Sequence, residues 1–334
     1  MKKTRAWLAT LLFTATVLAG CGENTEKIDA SSTTAAKEAV PITQVTNWFA
    51  EPEHGGQYAA LSEGFYKEAG IDMTILPGGP QISPVQIVAS GQAQFGMVQA
   101  DDILLARESG IPVVAVAAIF QKNPQALLYH KDAGVKDFSD LNGHSVFVAP
   151  GAGYWEYIKK AYKLDTVKEQ AYTGSYAAFI NDKGAVTQCY ITSEPYSMKQ
   201  QGIETEYLLI HDSGYQPYAN VLFTTEKFLE ENPELVKAYV AASIKGWNHY
   251  KEHYKEVNPV IQKENPDLTL ESMIYGAEAQ MELIFTEEAM QKGVGYMNEE
   301  RWLTLQKQLL DLGIITKQED IKRAFTTAYL PAVE

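Results

Sequence analysis

The stretch Thr46–Gly56 reads TNWFAEPEHGG, and it sets an exposed-looking Trp48-Phe49 pair, two glutamates and a histidine immediately ahead of two glycines. So many polar groups do not suit a buried strand, and adjacent Trp and Phe do not suit an ordinary surface loop. The residues on either side resolve the conflict. Ile42 to Asn47 is a short β-type run, and Gln57 to Ala69 carries apolar residues at helical spacing up to Gly70, a C-terminal cap. The stretch is therefore the connection from a strand to a helix. Its side chains gather where the loops at the C-terminal ends of strands form binding surfaces.

The alternation continues outward. Ile71–Leu76 is a second strand, broken by Pro77-Gly78-Gly79-Pro80, and is followed by helix 83–90, strand 95–98, helix 101–109 and strand 113–119. Strands alternating with helices predict a mostly parallel sheet with helices on both faces. A second series runs from the strand Ala126–His130 through Ser145–Ala149, the loop Pro150-Gly151-Ala152-Gly153, helix 154–162 and strands near 170–173, 188–191 and 206–210. Tyr218–Thr224 then returns as an extended segment, and the rest is almost purely helical. The expected fold is α/β with two lobes, each a mostly parallel sheet flanked by helices, and a ligand cleft between them. The expected boundaries are 41–130 with 219–334 for the first lobe and 131–218 for the second. No repeat of the solenoid kind occurs.

The N-terminus reads as an export signal over 1–20. Lys2, Lys3 and Arg5 precede the apolar run Trp7–Leu18, which is short for a bilayer span. From Gly22 to Val40 the composition is Ser, Thr, Ala, Glu and Lys without an aromatic, which reads as a flexible tether, so 21–40 is assigned as linker. Loss of the signal moves the formal charge from −14 to −17. Such a chain repels nucleic acid and anionic head groups, and it favours a neutral or cationic ligand. Cys21 and Cys189 are the only cysteines, which excludes a disulfide framework and a thiolate zinc site; the six histidines show no metal-ligand spacing. No hydrolase, zinc-protease or phosphate-cradling motif is present, and no cofactor is expected.

Several features together carry a resemblance. Leu18-Ala19-Gly20-Cys21 resembles a lipoprotein box, whose cysteine is diacylated. Trp48 with Glu51-Pro52-Glu53-His54-Gly55-Gly56, Ala89-Ser90-Gly91-Gln92-Ala93-Gln94-Phe95-Gly96, Asp140-Leu141-Asn142-Gly143 and Glu194-Pro195 resemble the periplasmic-type solute-binding proteins related to the thiamine-pyrimidine synthases. The likeness covers nearly the whole mature chain. It implies a type II binding-protein fold and an aminopyrimidine ligand, N-formyl-4-amino-5-aminomethyl-2-methylpyrimidine. It also implies an ABC permease and its ATPase as partners, a membrane anchor on Cys21 at the extracytoplasmic face, and no catalysis. In the synthases of this fold a His donates atoms to the product, a Lys holds pyridoxal phosphate and a cysteine-rich loop engages iron. Here the region of Cys189 has a single Cys, and no Lys sits near the aromatic segment. A sulfonate or nitrate is the competing cargo, although such anions want Arg, Lys or clustered N–H donors that the candidate segments lack.

A flat aminopyrimidine needs an aromatic face, an amide that donates and accepts, and a carboxylate. Asn47 and Trp48 supply the first two at one strand end, and Gly55 and Gly56 let the next helix begin close to the ligand. The competing reading packs Trp48 and Phe49 beneath the loop and makes His54 a helix cap. Across the cleft, Tyr190 offers a second face. The resemblance makes Glu194 the ligand-facing acid; the residues alone equally allow it a place beside a helix N-terminus. Tyr154 and Trp155 either touch ligand or pack between lobes. Tyr58, Gln99, Ser175, Tyr176 and Tyr218 complete the candidates by position. The Asn232-Pro233 start of a long helix and the helix 301–312 read as structural, with Asn232 as a cap.

Overall fold

The computed structural model describes residues 39–333. The export signal, most of the tether and Cys21 lie outside the described residues. Two five-stranded sheets organise the chain. In chain order the strands are β1 (Val40–Val45), β2 (Ile71–Leu76), β3 (Phe95–Val98), β4 (Val113–Phe120), β5 (Gln125–His130), β6 (Ser145–Val148), β7 (Lys168–Ala171), β8 (Ala185–Tyr190), β9 (Thr205–Leu209) and β10 (Ala219–Thr225).

The first sheet has the order β2-β1-β3-β10-β4 and the second β7-β6-β8-β5-β9, so the two share one topology. In each, one strand opposes four that run together: β10 is antiparallel to β3 and β4, and β5 to β8 and β9. The opposing strands are the two that follow the crossings between lobes. The sheets are thus mostly parallel in direction, with one antiparallel strand inside each. β4 is buried at every position, as expected for a sheet covered on both faces.

Three sequence expectations need correction. The first crossing lies at Gln121–Pro124 and not after residue 130, because β5 pairs with β8 and β9 of the second lobe. The helix expected over 57–69 is two pieces, Gly55–Ser62 and Phe65–Glu68, divided by Gly64 at φ 77°, a left-handed conformation that favours glycine. Asn232 does not cap the long helix Pro233–Glu264 with its side chain; its Nδ2 donates to Phe228 O at 3.2 Å.

Gly55 and Gly56 are explained by packing of the helix they begin. A Cβ on Gly55 would lie 2.3 Å from the Tyr250 ring, and one on Gly56 2.2 Å from Trp247 Cγ. From the opposite helix, a Cβ on Gly246 would meet Gly56 O at 2.0 Å. Helix Gly55–Ser62 therefore lies against helix Pro233–Glu264 at a distance only glycine permits, and this close contact fixes the direction in which the preceding loop leaves β1. The helix Glu299–Asp311 buries Trp302, Leu305 and Leu309 in one core cluster with Tyr218, which immediately precedes β10, and Tyr154 of the second lobe. No helix among the described residues is long and apolar enough to cross a membrane.

Candidate functional site

Three loops place the site. The first leaves β1 through Thr46, whose Oγ1 donates to Trp48 O at 2.7 Å and accepts from Gly78 N at 3.0 Å. Gly78 comes so near that a Cβ there would lie 2.2 Å from Thr46 O. The loop after β2 thus holds the Trp48 loop by its backbone, and Trp48 stays 42% exposed, edge-on to Phe49 at 5.5 Å between ring centres. The second loop begins helix Ala100–Glu108, where Asp102 accepts from Gln99 N at 3.1 Å in a capping arrangement. The third follows β8 into helix Glu194–Gln200, with Pro195 in its first turn.

These loops surround a cavity of about 350 Å³. The first lobe contributes Asn47, Trp48, Glu51, Glu53, His54, Gln99, Asp102 and Asn220; the second contributes Gln125, Tyr172, Tyr176, Gln188, Cys189, Tyr190, Ser193 and Glu194. With the wall divided equally between lobes, an occupant would touch both. Among the described residues the lining has no Lys and no Arg. It has four carboxylates, five side-chain amides, and the rings of Trp48, Tyr172, Tyr176 and Tyr190.

Hydrogen bonds orient the polar groups. Asn47 Oδ1 lies 2.9 Å from His54 Nε2, and Asn47 Nδ2 donates to Asn220 Oδ1 at 3.1 Å. Asn220, held at φ 45°, donates in turn to Glu53 O at 2.7 Å. Glu194 Oε2 accepts from Tyr190 N at 2.7 Å and from Ser193 Oγ at 2.8 Å. The lobes meet twice across the cavity: Thr192 Oγ1 donates to Glu53 Oε1, and Gln99 Nε2 donates to Tyr190 OH at 2.8 Å. Glu53 Oε2 is buried without a partner.

Burial shapes the charge here. Desolvation, followed by repulsion from Glu53 and Glu194, holds the Glu51 carboxyl well above the usual carboxylate range. Burial likewise raises Glu53 against the Thr192 hydrogen bond, which lowers it. Asp102 is pushed up to about 7 by burial and then by the charge of Asp101. His54 falls to about 3, because burial disfavours its cation, and it is neutral at ordinary pH. Cys189 is buried and its thiol is raised by desolvation, which makes it a poor nucleophile. No group of three metal-ligating side chains occurs among the described residues.

Of the residues expected from sequence, Asn47, Trp48, His54, Gln99, Tyr190 and Glu194 share the cavity, as does Tyr176. His54 precedes its helix but makes no side-chain cap; its ring turns to Asn47 instead. Five others lie elsewhere. Tyr58 is 2% exposed within the core of the first lobe. Tyr154 sits behind the lining and donates to Gln188 Oε1 at 2.9 Å. Trp155 is fully buried with Nε1 donating to Glu169 Oε2 at 2.9 Å. Ser175 is exposed, and its Oγ accepts from Ala177 N. Tyr218 faces the other side of the hinge, its OH accepting from Asn298 N at 3.0 Å.

Sequence reasoning missed Glu51, Glu53, Asp102, Gln125, Tyr172, Gln188, Cys189, Ser193 and Asn220. Glu51 and Glu53 stand in the very stretch that marked the site, and Gln125 and Asn220 immediately follow the two crossings. Strand ends and crossings were the available signal.

A two-lobed α/β chain whose ligand-sized cavity is shared between its lobes has the periplasmic binding-protein fold. The solved aliphatic sulphonate-binding protein SsuA from Escherichia coli shares that fold with a TM-score of 0.67 at 15% identity, over 86% of this chain and 92% of that one. Residues 51–257 match the family model described as NMT1/THI5 like, and the chain belongs to this family. The riboflavin-binding protein RibY of Chloroflexus aurantiacus is 25% identical over 94% of this chain and 95% of its own length. The formylaminopyrimidine-binding protein of Halalkalibacterium halodurans is 27% identical over 76% of this chain and 77% of its own.

Proposed function

We propose that this chain is the solute-binding lipoprotein of an ABC importer, held on the extracytoplasmic face by lipid on Cys21. It captures the thiamine-derived pyrimidine N-formyl-4-amino-5-aminomethyl-2-methylpyrimidine for salvage. The observation that carries this reading is the composition of the cavity wall: carboxylates, amides and aromatic rings, with no Lys or Arg among the described residues. An aminopyrimidine presents exocyclic N–H donors, ring-nitrogen acceptors and a flat face. Carboxylates accept its N–H groups, and an amide held as Asn47 is can pair with a ring edge. A sulfonate would instead face four acids with no cation to offset them. The likeness to the formylaminopyrimidine-binding protein supports the same ligand.

Binding between the lobes draws them together, because the ligand gains its second set of contacts only in the closed form, and a permease recognises that form. No chemistry on the ligand is assigned. A flavin is the second reading, favoured by the likeness to RibY along 94% of this chain. Its two ring carbonyls need donors, which the amides supply and an ionised carboxylate does not.

Isothermal titration calorimetry with the formylaminopyrimidine, riboflavin, thiamine and an alkanesulfonate tests the assignment. Tight pyrimidine binding that Trp48→Ala and Glu194→Ala each weaken by about 1.4 kcal/mol or more, a tenfold change, is the expected result. Riboflavin or the sulfonate binding in place of the pyrimidine overturns it.

A further inference from the structure

A second hollow, of about 540 Å³, lies at the hinge. Gln121 and Lys122 of the first crossing and Gln216 of the second line it, whereas Gln125 and Asn220, which follow the same crossings, line the cleft. The third wall is the helix Glu299–Asp311, which brings Arg301. The Arg301 guanidinium lies 3.8 Å from the Tyr218 ring centre; its Nε donates to Gln216 O at 2.6 Å and its Nη2 to Pro217 O at 3.3 Å. These bonds aim the group while leaving part of its N–H fork unused.

His211 lines the same hollow as the two cations. Its Nδ1 is buried without a partner. Burial first, and then the charges of Arg301 and Lys122, lower the imidazole to about 4. Among the described residues neither Lys122 nor Arg301 is in an ion pair. The acids that line the hollow, Glu287, Glu288 and Glu300, are exposed, as Lys122 is, and Glu288 is close enough to act on Arg301.

We propose that this hollow is a binding site for a small oxyanion, with Lys122 and Arg301 as its charged arms and His211 in the same wall. An anion held there ties the first crossing to the helix Glu299–Asp311, so it bears on hinge motion without entering the cleft.

The test uses sulfate, which stays doubly charged at the pH where His211 titrates, and needs no cleft ligand, so it stands or falls separately from the pyrimidine assignment. The His211 ring is followed by NMR at constant ionic strength, with chloride as the reference salt. The expected result is a saturable upward movement of the His211 midpoint with sulfate. Lys122→Gln, an exposed substitution, weakens sulfate at least about tenfold. A response no different from that to chloride, or a Lys122→Gln protein that titrates as the wild type does, overturns the proposal.

Discussion

Gln99 Nε2 donates to Tyr190 OH at 2.8 Å, and the two residues belong to different lobes. Gln99 itself is fixed at the start of helix Ala100–Glu108, where its backbone N–H donates to Asp102. The bond therefore joins a rigid helix start to the end of β8 across the cavity. It forms only when the lobes are together, so its free energy belongs to closure.

Tyr190→Phe should remove that bond while keeping the aromatic face. We expect affinity for the cleft ligand to fall by about 0.5–1.5 kcal/mol, the net worth of one hydrogen bond. The ligand-free protein should show a larger radius of gyration by small-angle X-ray scattering. An unchanged radius together with an unchanged affinity would mean that the bond carries no closure energy.

Gly56→Ala should destabilise the first lobe, since the added methyl would lie 2.2 Å from Trp247 Cγ in a contact between two helices. Overpacking of this kind costs about 1–3 kcal/mol. Chemical denaturation reads the loss, and a midpoint equal to wild type would show that the two helices separate freely.

Asp102 links stability to pH. Its folded-state value of about 7 lies above the ordinary 3.8, so the folded protein keeps a proton that the unfolded chain gives up. That contribution is full below the lower value and is lost as pH rises through the upper one. Asp102→Asn should therefore lose less stability than wild type between pH 5 and pH 8. Thermal melts at the two pH values check this, and equal losses would contradict it.

His54 acts in the opposite sense. Its folded-state value of about 3 lies below the ordinary 6.5, so its contribution is present above 6.5 and is lost as pH falls toward 3. His54→Gln should show a shallower acid loss, by up to about 1.4 kcal/mol per pH unit inside that window. Denaturant titrations at stepped pH measure the slope, and parallel curves would remove His54 from the acid limb.

The sequence made the strand and helix alternation legible because each element has its own periodicity. The sheet to which β5 belongs was not legible. Gln125–His130 would read the same in either lobe, and its place is decided by pairing with residues some sixty or more positions away. The site followed the same division. Trp48, Asn47 and Glu194 were marked by their places after strands, whereas Tyr154 and Trp155 follow a strand too and still turn inward. Their helix has one apolar face, and it packs that face into the second lobe. Gly55 and Gly56 drew notice for their neighbours in sequence, but the groups that require them are Trp247 and Tyr250, almost two hundred residues on.

The placement of β10 between β3 and β4 also sets an order of assembly. A chain emerging N-terminus first exposes β1 to β4 early, yet β4 has no strand neighbour until residues 219–225 arrive. Strands β5 to β9 are contiguous, so the second lobe can complete its sheet while the first is still waiting. The lobe that begins the protein is thus the last that can complete its sheet, and for that interval its unpaired β4 edge is open to mispairing with another chain.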